Sequence, residues 1–305
     1  MADVTIDFIG IGAARSGTTW LAKCLMEHPQ IFFPYTKEIN YFSKTRANNT
    51  KSEYEISGIK GYLNLFKNSP ENAKKGEYST YYLYDKTAAQ IIKKYFPNVK
   101  IIVSLREPVA RAYSDYNNIK LSDLKEKRDF KRAFLDGKKD DTGNFDSLND
   151  YKTRSMYYKH LSTYFDLFPK KNIHIIIYED INKNPEKVVK ELYKFLGVDL
   201  NFRPSVLHKK VNAQEATKIK SLRYFINFLR NVVLFFEKIG LGKLINFIKR
   251  KTKLNKTFEN VNKANKSNVE KDKLDPKIEK KLKAYYAEDI KNLEKLINRK
   301  LSEWR

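Results

Sequence analysis

The sequence predicts an α/β fold with a central parallel sheet between layers of helices, followed by a mainly helical C-terminal region. Short apolar runs without alternation recur through the first 203 residues, which is typical of strands buried on both faces. Helical patterns follow these runs, and strands that alternate with helices build a parallel sheet with right-handed crossovers. Beyond Arg203 the strand signals stop. We therefore expect one domain over residues 1–305, with an α/β core at 1–203 and a mainly helical part at 204–305.

The first predicted unit is a strand, a glycine-containing turn and a helix. Residues 6–11 are apolar, and residues 18–26 have a helical pattern that ends at His28 and Pro29. A second short strand is expected at residues 31–33. This order of elements is typical of the opening of a nucleotide-binding α/β fold.

The later elements have clearer ends. A helix is predicted over residues 86–95, where apolar side chains recur at helical spacing before Pro97, and a buried strand follows at 100–104. Pro108 begins the next helix. A strand at 173–178 precedes a helix at 185–196 that Gly197 ends, and the last helix runs from Asp275 to Ile297. The polar stretch 121–150 is expected to be a surface excursion.

The charge of the chain favours anionic partners. Lys and Arg number 60 against 36 Asp and Glu, which gives a formal net charge of +24. Nucleic acid, an acidic membrane surface, a phosphorylated cofactor and an acidic glycan all fit this excess. Because the lysines are spread along the chain, we attribute about half of the excess to a generally basic proteome. The hydrophobic share of 41% excludes a disordered chain.

Cysteine usage and the N-terminus indicate a compartment. Cys24 is the only cysteine, which excludes an intramolecular disulfide and suits a reducing environment. Asp3 and Asp7 stand where a signal peptide would be apolar, and no apolar run approaches the length of a membrane span. The sequence therefore predicts a soluble, cytoplasmic protein.

The segment after the first strand has the Gly-x4-Gly frame of a P-loop and reads Gly12-Ala13-Ala14-Arg15-Ser16-Gly17-Thr18-Thr19-Trp20. Such a loop directs backbone N–H groups and a helix N-terminus at a phosphate, without a metal. The fold is therefore predicted to be a P-loop-like three-layer fold. An ATPase loop continues with Lys and then Ser or Thr, but here two threonines follow the second glycine. The missing Lys disfavours ATP hydrolysis, and Arg15 supplies a cation inside the loop.

A second motif follows the strand at 100–104 and reads Leu105-Arg106-Glu107-Pro108-Val109-Ala110-Arg111-Ala112-Tyr113-Ser114. A guanidinium at the carboxyl end of a strand can bind a phosphate bidentately, and a serine on the next helix can offer its hydroxyl. Together the two motifs closely resemble those of the sulfotransferases that use 3'-phosphoadenylyl sulfate (PAPS). The resemblance implies PAPS as donor, PAP as product and no metal. It assigns the 5'-phosphate to Ser16, Gly17, Thr18 and Thr19, and the 3'-phosphate to Arg106 and Ser114.

The resemblance spans nearly the whole chain and is weakest from about residue 222 to 272. Residues 76–82 are similar to the family segment Gly-Glu-x-Ser-Pro-x-Tyr, with two departures. Thr80 stands where Pro is usual, and Tyr78 stands where some heparan sulfate sulfotransferases have a catalytic Lys. If that role exists here, another residue must supply it. Lys209 and Lys210 imply a mobile loop over the cofactor, with a solvated basic pair as the equally weighted alternative.

The resemblance to the heparan sulfate branch also implies a general base. That branch carries a Glu just before an aromatic pair, which places the base at Glu38 in the segment Lys37-Glu38-Ile39-Asn40-Tyr41-Phe42. A surface pair of Lys37 and Glu38 is the alternative. Arg15, with help from Lys37, is expected to stabilise charge on the bridging oxygen. Trp20 is expected to stack on adenine or to lie in the core. No histidine occupies the position of the His base of the small-molecule branch.

These observations predict sulfuryl transfer to a hydroxyl or amine of a carbohydrate or glycan. The alternatives are a small-molecule or lipid-linked hydroxyl as acceptor, a P-loop kinase, and a nucleic-acid-binding protein. The last would explain the charge but not the two phosphate motifs, so no nucleic acid is expected as a partner. Residues 222–251 combine an apolar helical face with basic residues, which favours a helix packed on the core over a helix at a membrane surface.

Overall fold

The computed structural model describes residues 5–34, 37–43, 58–121, 126, 128–136, 150–209, 215–217, 266–268 and 274–305. The strands in these ranges are β1 (Phe8–Gly12), β2 (Ile31–Phe32), β3 (Lys74–Tyr78), β4 (Lys100–Leu105), β5 (Ile173–Ile177), β6 (Glu215–Thr217) and β7 (Lys266–Asn268). The helices are α1 (Thr18–Glu27), α2 (Gly58–Asn64), α3 (Lys86–Tyr95), α4 (Pro108–Leu121), α5 (Phe130–Asp136), α6 (Tyr157–Leu167), α7 (Tyr178–Lys183), α8 (Pro185–Leu196) and α9 (Pro276–Ile297).

The central sheet has five parallel strands in the order β2-β3-β1-β4-β5. Ile9 in β1 pairs with Glu77 in β3 on one side and with Ile101 in β4 on the other. Because parallel strands end at the same edge of a sheet, the segments after β1, β3 and β4 lie side by side. The predicted parallel sheet with flanking helices is confirmed, and its carboxyl edge gathers both phosphate motifs.

Burial on both faces explains the apolar strands. Every residue of β1 is buried, as are residues 101–105 of β4, because helices cover both faces of the sheet. On one face, Phe8 belongs to a cluster of buried side chains from α1 and α8 that includes Leu21, Leu25, Leu192 and Tyr193. Each such apolar side chain contributes roughly 1.5–3 kcal/mol when it is fully buried.

Side-chain caps place the helix ends where the sequence predicts them. Asp85 accepts hydrogen bonds from two backbone N–H groups at the start of α3, and Asn184 caps α8 ahead of Pro185. Gly197 ends α8 with a φ of 77°, the left-handed conformation that favours glycine. Asp275 caps α9 through the N–H of Lys277 at 2.8 Å. The predicted bounds of α3, α8 and α9 are confirmed.

Strand β3 was not predicted, since its sequence Lys-Lys-Gly-Glu-Tyr is polar. It lies between β1 and β2, and its last three residues are buried. Gly76 is required there by close approach, because a Cβ at this position would lie 2.5 Å from the ring of Phe8. Burial between two strands, and not local pattern, makes this segment a strand.

The predicted helical C-terminal region is present as α9, but two later segments also contain elements that the sequence did not predict. Strands do follow residue 203, since β6 and β7 form an antiparallel pair with Ala216 opposite Ser267. Three-residue strands are too short to show a period in the sequence. The stretch 121–150 is not only a surface excursion, because α5 lies within it and buries Phe130 and Phe134. The rest of that stretch lies largely outside the described residues, as does all of 222–251.

The chain divides into two compact units, and each is described by itself. The first comprises residues 1–116, 128–212 and 274–305 and contains the five-stranded sheet. The second comprises residues 117–127 and 213–273 and contains the antiparallel pair. The single domain expected from the sequence stays a prediction. Among the helices of the described ranges, none combines the length and apolar character needed to cross a membrane.

Candidate functional site

The loop between β1 and α1 is fixed to the end of β4. The N–H of Ala13 donates to the carbonyl of Ser104 at 2.7 Å, and the hydroxyl of Ser104 donates to the carbonyl of Ser16 at 2.5 Å. The N–H of Ala14 donates to the hydroxyl of Tyr84 at 3.2 Å. The first phosphate motif is therefore held against the strand that carries the second.

The N-terminus of α1 has the features of an anion site. Gly17 precedes the helix with a φ of 81°, and no side chain caps the first N–H groups. Ser16 is fully buried, and its hydroxyl has no hydrogen-bond partner among the described residues. A helix N-terminus attracts anions, and a buried polar atom without a partner is costly. The residues Ser16 to Thr19 therefore fit a phosphate group, which would accept hydrogen bonds from the first N–H groups of α1 and from the Ser16 hydroxyl.

The two predicted phosphate motifs meet at Arg15. Its Nε donates to the hydroxyl of Ser114 at 3.3 Å, and its carbonyl accepts from the guanidinium of Arg106 at 3.3 Å. Arg106 also lies 4.7 Å from the ring centre of Tyr178. Burial lowers the pKa of Arg15; the charge of Asp115 opposes this effect, and the charges of Arg106 and Arg111 add to it. A bound anion would relieve the repulsion between these guanidinium groups.

A buried charge cluster next to Ser114 was missed in the sequence. Asp115 accepts a hydrogen bond at 2.9 Å from Arg111 and another at 2.9 Å from Arg154. Burial alone would raise the pKa of Asp115, but Arg154 and Arg111 hold it below its ordinary value. The charges of both guanidinium groups also act on Asp150, so these two buried cations lie among carboxylates beside the predicted 3'-phosphate site. The spacing of Arg111 and Asp115 at i and i+4 was the available signal, but Arg154 is distant in sequence.

Glu38 is held at the carboxyl end of β3. Its carboxylate accepts from the N–H of Thr80 at 2.8 Å, and the Thr80 hydroxyl lies 3.1 Å from both of its oxygens. Lys37 forms an ion pair with the same carboxylate, whose side chain is 32% exposed. The N–H of Glu38 donates to the carbonyl of Tyr78 at 3.0 Å. Glu38 is bonded to residues at the end of β3, and the phosphate loop follows β1. Since β3 is next to β1, the predicted base and the phosphate loop lie at the same edge of the sheet.

Tyr78 fills a structural position. Its ring packs against Gly10, its hydroxyl donates to the carbonyl of Gly12 at 3.0 Å, and burial raises its pKa. A neutral phenol in the core cannot replace a catalytic ammonium group. Lys37 lies 5.7 Å from the centre of this ring and supplies a cation at the same end of β3.

The remaining predicted residues have different surroundings. Trp20 is 5% exposed and belongs to the core, where its Nε1 donates to the carbonyl of Val206 at 3.0 Å. This burial counts against stacking of Trp20 on adenine. Lys209 donates its N–H to the carbonyl of Val206 in a turn, whereas Lys210 lies outside the described residues. The loop over the cofactor stays a prediction.

Neither histidines nor metal ligands form a competing site in the described ranges. His28 is 1% exposed and forms hydrogen bonds with Gln30 and Asp199 through its two ring nitrogens, so its role is structural. Burial lowers the pKa of His160 and of His174 to about 4. Within the part of the chain that the structure describes, no three His, Cys, Asp or Glu side chains lie together as metal ligands. Independence from metal stays a prediction.

Comparison with known proteins agrees with this geometry. The family model of the sulfotransferase domain matches residues 5–295. The membrane-associated sulfotransferase kil1 of Dictyostelium discoideum is 28% identical over 73% of this chain and 63% of its own length. Heparan sulfate glucosamine 3-O-sulfotransferase 5 of Mus musculus is 25% identical over 62% of this chain and 52% of its own length. The chain thus spans less than two thirds of these curated relatives.

A solved structure supports the fold. A sulfotransferase from Alicyclobacillus acidocaldarius superposes with a TM-score of 0.68 at 23% identity, and the alignment covers 98% of both chains. This likeness confirms the predicted fold class. The match over residues 5–295 confirms the family resemblance that the two phosphate motifs indicate.

Proposed function

Because the chain belongs to the sulfotransferase domain family, we propose that it transfers a sulfuryl group from PAPS to an acceptor hydroxyl or amine. One observation carries this proposal. Arg15, Arg106 and Ser114 from two distant motifs lie together beside the uncapped N-terminus of α1. Two phosphate-binding elements at one sheet edge suit a nucleotide that carries phosphate at both its 3' and 5' positions.

The residues divide between the two phosphates of the donor. Ser16, Gly17, Thr18 and Thr19 hold the 5'-phosphate through the loop and the start of α1. Arg106 and Ser114 hold the 3'-phosphate, and Arg15, which contacts both residues, supplies a further cation there. PAPS supplies a sulfuryl group that is already activated by its bond to the 5'-phosphate.

Glu38 is the proposed general base. In the reaction, the acceptor oxygen or nitrogen forms a bond to sulfur while the bond from sulfur to the bridging oxygen breaks. Glu38 takes the acceptor's proton, and PAP departs with the electron pair of the broken bond. Lys37 and Arg15 stabilise the negative charge that develops on the bridging oxygen. The two donor groups of Thr80 orient the carboxylate of Glu38 for this transfer.

The proposed acceptor is a carbohydrate or glycan. Glu38 occurs in a segment like that of the heparan sulfate branch, and heparan sulfate sulfotransferases are among the relatives. The net charge of +24 also suits an acidic glycan. A small-molecule or lipid-linked hydroxyl is the competing acceptor, and a cytoplasmic location agrees better with it. The favoured packing of residues 222–251 on the core, with membrane contact as the alternative, stays a prediction.

A transfer assay tests the proposal. Purified protein is incubated with radiolabelled PAPS and, in separate reactions, with heparan sulfate, N-desulfated heparan sulfate and 4-nitrophenol. We expect label in a glycan, and a loss of turnover of at least about 100-fold in Glu38→Gln. Arg132→Ala, which removes an exposed cation outside both motifs, should keep full turnover. Label in 4-nitrophenol alone would identify a small-molecule enzyme, and full turnover of Glu38→Gln would refute the base.

A further inference from the structure

A buried carboxylate, that of Glu77, lies within reach of the charge of the proposed base. Glu77 is fully buried near the end of β3 and forms no ion pair within the described residues. Its oxygens accept hydrogen bonds from the hydroxyls of Ser79 at 2.6 Å, Tyr82 at 2.8 Å and Tyr62 at 3.1 Å. Burying a carboxylate without a cation costs much free energy, and hydrogen bonds from three converging donors offset part of that cost here.

All three donors of Glu77 also contact residues 40–42. The Ser79 hydroxyl accepts from the N–H of Asn40 at 3.0 Å. The Tyr82 hydroxyl accepts from the N–H of Phe42 at 3.5 Å, and the ring of Tyr62 stacks on Tyr41 at a centroid distance of 5.0 Å. Glu77 is therefore the common anchor of three links to one short segment.

That segment carries the proposed base in an uncommon backbone conformation. Glu38 and Asn40 have φ angles of 66° and 56°, in the left-handed region that non-glycine residues seldom adopt. Each such residue costs of the order of 1 kcal/mol or more, so its surroundings must hold it. The side chain of Asn40 donates to the carbonyl of Glu38 at 2.9 Å, which couples the two residues directly.

We propose that Glu77 is a positioning residue, which holds residues 38–42 through Ser79, Tyr82 and Tyr62 so that Glu38 stays at the carboxyl end of β3. This inference rests on the proposed role of Glu38 as the base. The hydroxyl of Ser79 donates its one proton to Glu77, which leaves its lone pairs for the N–H of Asn40. Without the carboxylate, that hydroxyl can turn, and the support of the Glu38 backbone loosens.

The charge state of Glu77 adds to this picture. Burial raises the pKa of Glu77, and the nearby charge of Glu38 raises it too, whereas the three hydrogen bonds lower it. The resulting pKa is about 7. As a carboxylate, Glu77 can accept all three donors. A neutral replacement offers a donor of its own and fewer lone pairs, so one of the three hydroxyls must change its partner.

Two variants and their combination test the positioning role. Glu77→Gln keeps the size of the side chain and removes its charge, and Ser79→Ala removes the acceptor for the N–H of Asn40. Hydrogen exchange of residues 37–43, the affinity for PAP and the turnover of PAPS with heparan sulfate are measured for each variant. Tyr193→Phe serves as control, because it removes one buried hydrogen bond, to the carbonyl of Cys24, away from this segment.

We expect the amides of Asn40 and Phe42 to exchange about tenfold faster in Glu77→Gln, while the PAP affinity stays within about twofold. Turnover at saturating PAPS should fall at least about tenfold with an unchanged KM for PAPS, since only the geometry of the base is altered. The double variant should lose no more turnover than Glu77→Gln alone, because Ser79→Ala breaks a link that Glu77→Gln already breaks.

The outcomes separate this inference from the proposed function. Unchanged exchange in Glu77→Gln, or faster exchange with wild-type turnover, would overturn the positioning role. Effects of Glu77→Gln and Ser79→Ala that simply add would overturn the link through Ser79. By contrast, full turnover of Glu38→Gln would contradict the base itself, whatever the exchange at residues 37–43 shows.

Discussion

Thr80 donates both its backbone N–H, at 2.8 Å, and its hydroxyl, at 3.1 Å, to the carboxylate of Glu38. A proline at this position, as is usual in the family that the sequence resembles, has neither donor. The departure from the family pattern therefore has a structural consequence, because it gives Glu38 two partners that proline could not provide. Thr80 and Lys37 together fix the direction of the proposed base.

Removal of the Thr80 hydroxyl should weaken this support. Thr80→Val keeps the shape of the side chain and the backbone N–H but loses one hydrogen bond to a charged group, which is worth about 1.5–3 kcal/mol. We expect turnover to fall about tenfold while the KM for PAPS is unchanged. Thr163→Val on α6 is the matched control. Wild-type turnover in Thr80→Val would show that the backbone N–H at position 80 and Lys37 orient Glu38 without the hydroxyl.

Removal of the unpartnered hydroxyl of Ser16 should change the stability of the free protein and its affinity for PAP in opposite directions. In Ser16→Ala the buried polar atom without a partner disappears, so the free energy of unfolding of the free protein should rise by about 1 kcal/mol. The affinity for PAP should fall about tenfold, since the 5'-phosphate loses the hydrogen bond from this hydroxyl. Thermal melts with and without PAP measure both effects. A variant that is less stable and binds PAP normally would contradict a phosphate role for Ser16.

The buried acid Glu77 should make stability depend on pH. Its pKa is raised from 4.5 to about 7 in the folded protein, so folding favours the protonated form. The stability that this form contributes is fully present below about pH 4.5 and is lost as the pH rises through about 7. Between pH 5 and pH 8 we expect wild type to lose up to about 3 kcal/mol relative to Glu77→Gln. Chemical denaturation of both proteins across this range tests it, and parallel pH profiles would contradict it.

Asp115 should contribute to the stability of the protein, because it is the carboxylate that Arg111 and Arg154 share. In Asp115→Asn the buried guanidinium groups of Arg111 and Arg154 lose their shared carboxylate, and breaking a buried pair in this way costs about 3–5 kcal/mol. Asp129→Asn, which affects an exposed pair with Arg132, should leave the denaturation midpoint unchanged. Equal midpoints for the two variants would mean that the cluster contributes nothing beyond a surface pair.

Local signals predicted most of the fold and half of the site. Helices α3, α8 and α9 were predicted to within a residue of their bounds, because helical spacing and the end signals Pro97, Gly197 and Asp275 are local. The two phosphate motifs were found because each follows a buried strand. Strand β3 was missed, since its polar residues become buried only between β1 and β2.

Contacts between distant segments could not be predicted. Tyr62 and Glu77 meet across 15 residues, and Arg154 and Asp115 across 39. Nothing in the local pattern around either carboxylate shows these partners, because the sheet order and the packing of helices bring them together. Positioning residues therefore came from the structure, whereas residues proposed to touch the cofactor came from the sequence.

The central claim is a nucleotide site that recognises a 3'-phosphate. Calorimetric titration of the purified protein with PAP, with AMP as the ligand that lacks the 3'-phosphate, tests it most directly, and the titration is repeated with Arg106→Ala. We predict tight binding of PAP, weak binding of AMP, and loss of the difference in Arg106→Ala, since a charge-assisted pair with phosphate is removed. Equal affinities for PAP and AMP in the wild-type protein would contradict the account.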